Sequence, residues 1–349
     1  MENIDNIIFN PDFHRAPRYF QSLEQYEPSP LKALTAPCGI TMRVKDETDR
    51  MGLGAFKALG GPYAVARLLA REWAEKTGET LTPERFQDAN VQEFAQRRTF
   101  VTASAGNHGI GVAAGAKALG ANARIYLAKT VPDSFDARLQ AHGAEVVRAG
   151  ETYGDSVAEA IADTERTGAI LLADGTWPGY TEIPKLVMEG YTVIAEEMRS
   201  EFEASGNWPT HVYLQAGVGG LAAAMAHMIR ENWARQPELI VVEPEAATCL
   251  RDSHLAGKPT RADGPDSTMG RLDCKEVSMV AWHTLERCGV SYVALSDEEG
   301  AAAAQAVTNL GVPTTPSGAA GYGALLKQYG NNAPAEDFRP LIIVTECPA

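Results

Sequence analysis

The chain of 349 residues lacks several features that would place it in other functional classes. No apolar run approaches the length of about 20 residues that a membrane-spanning helix needs. Basic residues are scarce, since 31 Lys and Arg stand against 45 Asp and Glu, and the net charge of −14 argues against a nucleic-acid-binding face. Residues 1–6 are polar and acidic, unlike a signal peptide. We therefore expect a cytoplasmic protein with neither a membrane nor a nucleic acid as partner.

The five cysteines form no CxxC pair and no Cys/His spacing typical of a metal site. No metal is therefore predicted, and reduced thiols are the expected state in a cytosolic protein. Cys249 and Cys274 flank one loop-rich segment, and the sequence leaves open whether these two residues pair.

Short apolar strands alternate with helices along most of the chain. Strands are predicted at 99–102, 123–127, 145–148 and 169–173, and again at 211–214, 239–242, 291–295 and 341–345. This alternation is typical of βαβ units, so we predict an α/β fold with two domains, each an open, mostly parallel sheet flanked by helices. Three segments are expected to be irregular or broken: an arm at 1–30, a helix break at Gly60-Gly61-Pro62, and the stretch 248–275.

One lysine, Lys57, lies in the apolar, glycine-flanked run 51–62. A lysine in such a run is often a surface residue whose stem covers apolar neighbours. The alternative is a desolvated amine held to form an imine with a carbonyl cofactor. The run itself leaves both interpretations open, and three later segments favour the second.

These three segments follow predicted strands, and ligands bind beyond the carboxyl ends of strands in open α/β sheets. The turn 102–109 opens a helix, so its amides and Asn107 can hold an anion or a ring hydroxyl, or Ser104 or Asn107 can simply cap the helix. The glycine-rich turn 215–221 lacks GxGxxG and GK[ST] spacing but suits a phosphate. Thr345 ends the last strand. Its hydroxyl either marks only the solvent-facing end of the strand or bonds a ring nitrogen.

Together the segments describe a small phosphorylated carbonyl compound with a ring hydroxyl and a ring nitrogen. Lys57 supplies the amine, Asn107 contacts the hydroxyl and Thr345 contacts the nitrogen. The phosphate is expected at the turn formed by Gly217, Val218, Gly219, Gly220 and Leu221. That compound is pyridoxal 5′-phosphate, and Phe56 is included among its predicted contacts.

The order of these segments resembles the tryptophan-synthase-β (fold type II) superfamily of pyridoxal-phosphate enzymes, and within it the diaminopropionate ammonia-lyases. The matching segments, which cover about residues 26–346, are Lys45-Asp46-Glu47, 52–61, 106–109, 174–184, 214–219, Val242-Glu243-Pro244, Ser317-Gly318-Ala319 and Val344-Thr345-Glu346. The segments 177–180 and 215–219 favour the lyases over the dehydratases of the superfamily. The resemblance implies a large cofactor-binding domain of residues 1–95 and 178–349, a small mobile domain of residues 96–177, and a homodimer.

The resemblance also implies an α,β-elimination on a β-substituted amino acid such as 2,3-diaminopropionate. Lys57 removes the Cα proton, β-ammonia leaves, and the product hydrolyses to pyruvate and a second ammonia. Asp174 matches the lyase pattern and is expected to hold a cationic β-amine, unless it is only a turn residue. The residues expected to line the α-carboxylate site are Ser104, Ala105, Gly106 and His108, of which His108 is equally well explained as a packed turn residue.

Ala105 departs from the lyase pattern, which has an aspartate immediately before Gly-Asn-His-Gly. By resemblance, that aspartate is the base for the D-isomer and the imine lysine is the base for the L-isomer. Because alanine cannot move a proton, the sequence predicts turnover of the L-isomer through Lys57. Racemisation is also disfavoured, since racemases of the superfamily place a serine there.

Two alternatives stay open. A dehydratase for serine, threonine or another 3-hydroxy amino acid would keep the cofactor and change the leaving group, and Ala105 strengthens this alternative. A pyridoxal-phosphate-binding protein without activity is the other, although the retained Lys57 speaks against it.

Overall fold

The computed structural model describes residues 7–330 and 337–348, so residues 1–6, whose polarity entered the sequence prediction, lie outside it. The strands are β1 Leu31–Thr35, β2 Thr41–Asp46, β3 Thr99–Ala103, β4 Asn122–Leu127, β5 Ala144–Arg148, β6 Ile170–Leu171, β7 His211–Gln215, β8 Glu238–Pro244, β9 Ser291–Leu295 and β10 Pro340–Val344. The helices are α1 Arg15–Gln21, α2 Lys57–Thr77, α3 Ala89–Ala95, α4 Asn107–Ala118, α5 Ser134–Ala141, α6 Tyr153–Thr167, α7 Glu182–Ser205, α8 Gly220–Asn232, α9 Cys249–Ala256, α10 Met279–Cys288, α11 Asp297–Asn309 and α12 Ala320–Tyr329. Within the two described ranges, no helix is both long enough and apolar enough to cross a membrane.

The strands form two sheets. One has six strands in the order β1-β2-β10-β7-β8-β9, and the other has four strands in the order β5-β4-β3-β6. β1 pairs with β2 antiparallel, and the remaining strand pairs of the described residues are parallel. This confirms the predicted α/β fold of mostly parallel sheets flanked by helices. The division into residues 1–95 with 178–349 and residues 96–177 stays a prediction.

Helix α2 runs unbroken through residues 60–62, so the predicted break there is wrong. Gly61 of α2 and Gly111 of α4 allow the two helices to pack backbone against backbone. A Cβ atom added to Gly61 would lie 2.8 Å from the carbonyl carbon of Gly111, and one added to Gly111 would lie 2.7 Å from the carbonyl oxygen of Lys57. Tertiary packing thus overrides the weak helix propensity of the segment. The contact also fixes the position of the first turn of α2, where Lys57 lies.

Two further expectations from the sequence are corrected. The N-terminal arm contains α1, whose Phe20 is fully buried in the main core, and the segment between β8 and α10 contains α9. The start of α9 is held by Glu243 at the end of β8, which accepts hydrogen bonds from the backbone N–H groups of Leu250 (2.8 Å) and Arg251 (2.9 Å). Both helices depend on contacts with distant residues, which a local pattern does not show.

Candidate active site

Lys57 and Asp174, both predicted, lie together. Lys57 is the first residue of α2, and its Nζ donates a hydrogen bond to Oδ2 of Asp174 (2.5 Å), in the loop after β6. Both side chains are 26% exposed. Burial alone would raise the pKa of Asp174, but the charge and the hydrogen bond of Lys57 outweigh burial and hold that pKa well below its usual range. The carboxylate is therefore ionised at neutral pH and attracts cations.

His108 is a buried member of the same cluster. Its Nε2 lies 2.8 Å from the carbonyl oxygen of Leu172, which only accepts hydrogen bonds, so we assign the ring proton to Nε2. Burial lowers the pKa of His108, which keeps the ring neutral near pH 7. Its Nδ1 has no hydrogen-bond partner among the described residues and lies 4.0 Å from Oδ2 of Asp174. Two acceptors thus face the same space, which suits an ammonium group better than the α-carboxylate to which the sequence assigned His108.

The turn of residues 104–106, named the substrate turn after its predicted role, joins β3 to α4, and its three residues are all partly exposed. Gly106 is the N-cap of α4, and no side chain of the described chain caps that helix. The turn is tight, because a Cβ atom on Gly109 would lie 2.1 Å from the carbonyl oxygen of Ser104. An uncapped helix start of this kind favours a bound anion.

Asn107, predicted to contact a ring hydroxyl, has a partner that the sequence did not reveal. Its Nδ2 donates to Oε2 of Glu346 (2.5 Å), and Oε1 of Glu346 accepts from the Thr315 hydroxyl (2.6 Å). Glu346 is only 3% exposed. The pairing fixes the orientation of the Asn107 amide and leaves its second N–H group for a ligand oxygen.

Thr345 follows the last residue of β10 and is buried. Its hydroxyl lies 3.4 Å from Nε2 of Gln215, which also donates to the carbonyl oxygens of Ile343 (2.8 Å) and Gly318 (2.9 Å). Gln215 therefore ties the ends of β7 and β10 together. Its contact with Thr345 is long, so the hydroxyl remains able to bond a ring nitrogen.

The predicted phosphate turn, residues 217–221, contains the start of α8. Gly219 has a φ of +99°, a left-handed conformation that favours glycine. A Cβ atom on Gly217 would lie 2.9 Å from Sγ of Cys274, and one on Gly219 would lie 3.1 Å from the Leu250 side chain. One side of the turn is therefore filled by protein. The start of α8 has no side-chain cap from the described residues and is left to bind an anion.

Tyr191 of α7 was not predicted. It is 2% exposed, and its hydroxyl has no hydrogen-bond partner within the described ranges. The ring lies 2.5 Å from the position that a Cβ atom would take on Gly60 and 3.9 Å from the corresponding position on Gly220, so it lies between the starts of α2 and α8. Phe56 packs edge-on against it, with ring centroids 4.9 Å apart. A buried hydroxyl without a partner costs about 1–3 kcal/mol, and a phosphate oxygen at the start of α8 would satisfy it. The residues present therefore fit a phosphorylated cofactor.

Cys249 and Cys274 both lie beside Gly217 of the predicted phosphate turn, and both are free thiols in the described structure. Sγ of Cys249 is 3.8 Å from the carbonyl oxygen of Gly217. Burial raises the pKa of Cys274 to about 11 and that of Cys249 further. Both thiols are therefore protonated at neutral pH. No cluster of His, Cys, Asp and Glu suited to a metal ion occurs in the part of the chain that the structure describes.

Comparison with known proteins agrees with this geometry. Residues 23–346 match the family model of pyridoxal-phosphate dependent enzymes. Diaminopropionate ammonia-lyase of Escherichia coli (strain K12) is 35% identical over 293 residues, which is 82% of this chain and 72% of the relative. A crystal structure of the Escherichia coli lyase, in complex with an aminoacrylate-PLP azomethine reaction intermediate, matches with a TM-score of 0.81 at 30% identity, covering 97% of this chain and 89% of that chain. An L-threonine dehydratase of Mycobacterium leprae is 30% identical over 234 residues, or 65% of this chain and 52% of the relative. The chain therefore belongs to the pyridoxal-phosphate dependent enzymes of fold type II, and its cofactor is pyridoxal 5′-phosphate.

Proposed function

We propose that this enzyme is an ammonia-lyase that converts 2,3-diaminopropionate, or a close relative with a β-amino group, to pyruvate and ammonia. The observation that carries the proposal is the ionised carboxylate of Asp174 beside Nζ of Lys57. A β-ammonium group is the kind of leaving group that this carboxylate attracts. The name of the Escherichia coli relative supports the same substrate class.

Lys57 and residues that follow strands of both sheets would hold the cofactor. Lys57 would bind it through its amine, Asn107 would contact the ring hydroxyl, and Thr345 would contact the ring nitrogen. The turn 217–221 and Tyr191 would hold the phosphate, with Phe56 packed beside Tyr191. When bound, the cofactor supplies an electron-accepting ring that accommodates negative charge at Cα.

Lys57 is proposed to move the proton of the reaction. Its Nζ, once free, removes the proton from Cα of the substrate. Since the first turn of α2 is held in backbone contact with α4, the position of Nζ is set by a rigid part of the fold.

Asp174 and His108 are proposed to position the leaving group. The carboxylate of Asp174 and Nδ1 of His108 both accept hydrogen bonds from the β-ammonium group. They keep it protonated, so that it departs as neutral ammonia with the electrons of the Cβ–N bond. A hydroxyl leaving group gains less from this pair of acceptors, because it carries no charge.

The L-isomer is the proposed substrate. The side chain of Ala105 cannot transfer a proton, so Lys57 is the base on which turnover depends. Turnover of L- and D-2,3-diaminopropionate should be compared at equal enzyme concentration. Comparable kcat/KM values for the two isomers would contradict this proposal.

The products test the reaction class. Release of ammonia and of the 2-oxo acid should be followed with L-2,3-diaminopropionate and with a panel containing L-serine, which would give pyruvate, and L-threonine, which would give 2-oxobutyrate. Diaminopropionate should give two ammonia per pyruvate with the highest kcat/KM, whereas serine can give only one. A higher kcat/KM for a hydroxy amino acid would make the enzyme a dehydratase, the activity of the Mycobacterium leprae relative. Cofactor absorbance without turnover of any amino acid would make it a binding protein.

We also propose that the enzyme is a cytoplasmic homodimer in which the small domain, residues 96–177, moves relative to the rest. The separate sheet of β3 to β6 supports an independent small domain. Light scattering after gel filtration measures the oligomeric state, and a monomer in the presence of cofactor would contradict the proposed homodimer.

A further inference from the structure

Arg271, in the segment between α9 and α10, has a backbone fixed between two parts of the candidate active site. Its N–H group donates to the Ser317 hydroxyl (3.1 Å). Its carbonyl oxygen lies 3.1 Å from the position that a Cβ atom would take on Gly217, in the phosphate turn. The origin of the side chain is therefore defined relative to that turn.

The Arg271 side chain lies against the substrate turn. Its Nε, Cδ and Cζ atoms are 3.8–3.9 Å from the position of a Cβ atom on Gly106, the N-cap of α4. The side chain is 36% exposed, so it borders the open part of the site. The positive guanidinium and the positive end of α4 thus face one space.

The guanidinium keeps donors available for a ligand. Its Nε is 3.5 Å from Oε2 of Glu346, whose two oxygens already accept from Asn107 and Thr315. Within residues 7–330 and 337–348, no hydrogen bond or ion pair reaches Nη1 or Nη2 of Arg271. These two nitrogens have the planar geometry that matches a carboxylate.

We propose that Arg271 binds the α-carboxylate of the amino-acid substrate, together with the uncapped start of α4. This inference rests on the proposed function only for the presence of an amino acid in the site. The same arrangement orients the substrate. Arg271 lies beside Gly106 at the start of α4, and His108, two positions further on, lies 4.0 Å from Asp174. The first contact marks an anion-binding end of the site and the second a cation-binding end. Diaminopropionate carries a carboxylate and a β-ammonium group that match these two ends.

The test is a binding measurement with L-alanine and L-alaninamide, neither of which has a β leaving group. Binding is followed by the change in visible absorbance of the holoenzyme. Arg271→Gln should weaken L-alanine binding by about 10- to 100-fold, the worth of a hydrogen-bonded ion pair. It should leave alaninamide binding nearly unchanged, because the amide has no carboxylate. Arg271→Lys should recover part of the loss, because it restores the charge without the planar pair of donors.

Arg261→Gln is the matched control, since Arg261 lies in the same segment and its exposed side chain pairs with Glu276. It should bind both compounds as the unchanged enzyme does. Cofactor absorbance and the thermal midpoint of each variant report whether the fold is kept. An equal loss of affinity for alanine and alaninamide in Arg271→Gln, or no loss for either, would overturn the proposal. Because no elimination is measured, a failure of the proposed lyase activity would leave this result interpretable.

Discussion

Replacing Tyr191 with phenylalanine should have opposite effects on the protein without cofactor and on cofactor binding. In the structure the hydroxyl is buried and has no partner among the described residues. Removing it should therefore raise the free energy of unfolding of the cofactor-free protein by about 1–3 kcal/mol, the cost of an unsatisfied buried group. If the hydroxyl donates to the cofactor phosphate, the same change should weaken cofactor binding by about 10- to 100-fold.

The assay has two parts. Denaturant unfolding of the cofactor-free protein gives the stability, and titration with pyridoxal 5′-phosphate, followed by absorbance, gives the dissociation constant. Tyr322→Phe is the matched control. Tyr322 is also buried, and its hydroxyl has no hydrogen-bond partner among the described residues, but it packs in a separate core cluster that contains Ile342 and Val344 of β10. It should stabilise the cofactor-free protein and leave the dissociation constant unchanged. A Tyr191→Phe protein that binds the cofactor as tightly as the parent would refute the assignment of this hydroxyl to the phosphate.

Three further predictions follow from other contacts. Gly111→Ala should lower the free energy of unfolding by about 1–3 kcal/mol and reduce cofactor loading, because its Cβ atom would lie 2.7 Å from the Lys57 carbonyl oxygen. Chemical denaturation measures the stability, and absorbance measures the loading. Gly154→Ala is the control and should change neither quantity, because its Cβ atom would lie at an ordinary 3.7 Å from the Thr152 hydroxyl. Asp174→Asn should lower kcat/KM for diaminopropionate by about 10- to 100-fold and kcat/KM for serine by less, with both measured as ammonia release. Equal losses for the two substrates would contradict the proposed contact between Asp174 and the leaving group. Burial raises the pKa of Glu243 from 4.5 to about 7, so the folded protein holds a proton between these values that the unfolded chain releases. The free energy of unfolding of the protein should therefore fall as pH rises from 4.5 to 7, by up to about 1.4 kcal/mol per pH unit. Denaturant unfolding at several pH values should show a smaller dependence of this free energy on pH for Glu243→Gln. An unchanged dependence on pH would contradict the raised pKa of Glu243.

The sequence predicted those candidate site residues that a local sequence pattern indicates. The glycine turn 217–221 follows a buried strand and opens a helix, and Asn107 opens another, so both could be placed at strand ends without a structure. Parallel strands then bring such ends to one edge of a sheet. Lys57 stood out because a single charge interrupts an apolar run.

Other residues of the site could not be predicted, because they act through distant contacts. Tyr191 lies within a long amphipathic helix, where an aromatic residue is ordinary core, and only the structure places its hydroxyl between two helix starts. Arg271 lies in a segment without periodicity, 165 positions beyond Gly106 in sequence, yet its side chain lies 3.8–3.9 Å from the position that a Cβ atom would take on Gly106. The unbroken helix at residues 60–62 has the same cause, since backbone packing against α4 outweighs local propensity.

The proposed reaction depends on the amine of Lys57 carrying the cofactor. Borohydride reduction of the holoenzyme, followed by digestion and mass spectrometry, tests it directly because reduction makes the link to the lysine permanent. We expect the cofactor's mass on the peptide that contains Lys57, and no such adduct in Lys57→Ala. Attachment at any other lysine, or an unmodified Lys57 in protein saturated with pyridoxal 5′-phosphate, would contradict it.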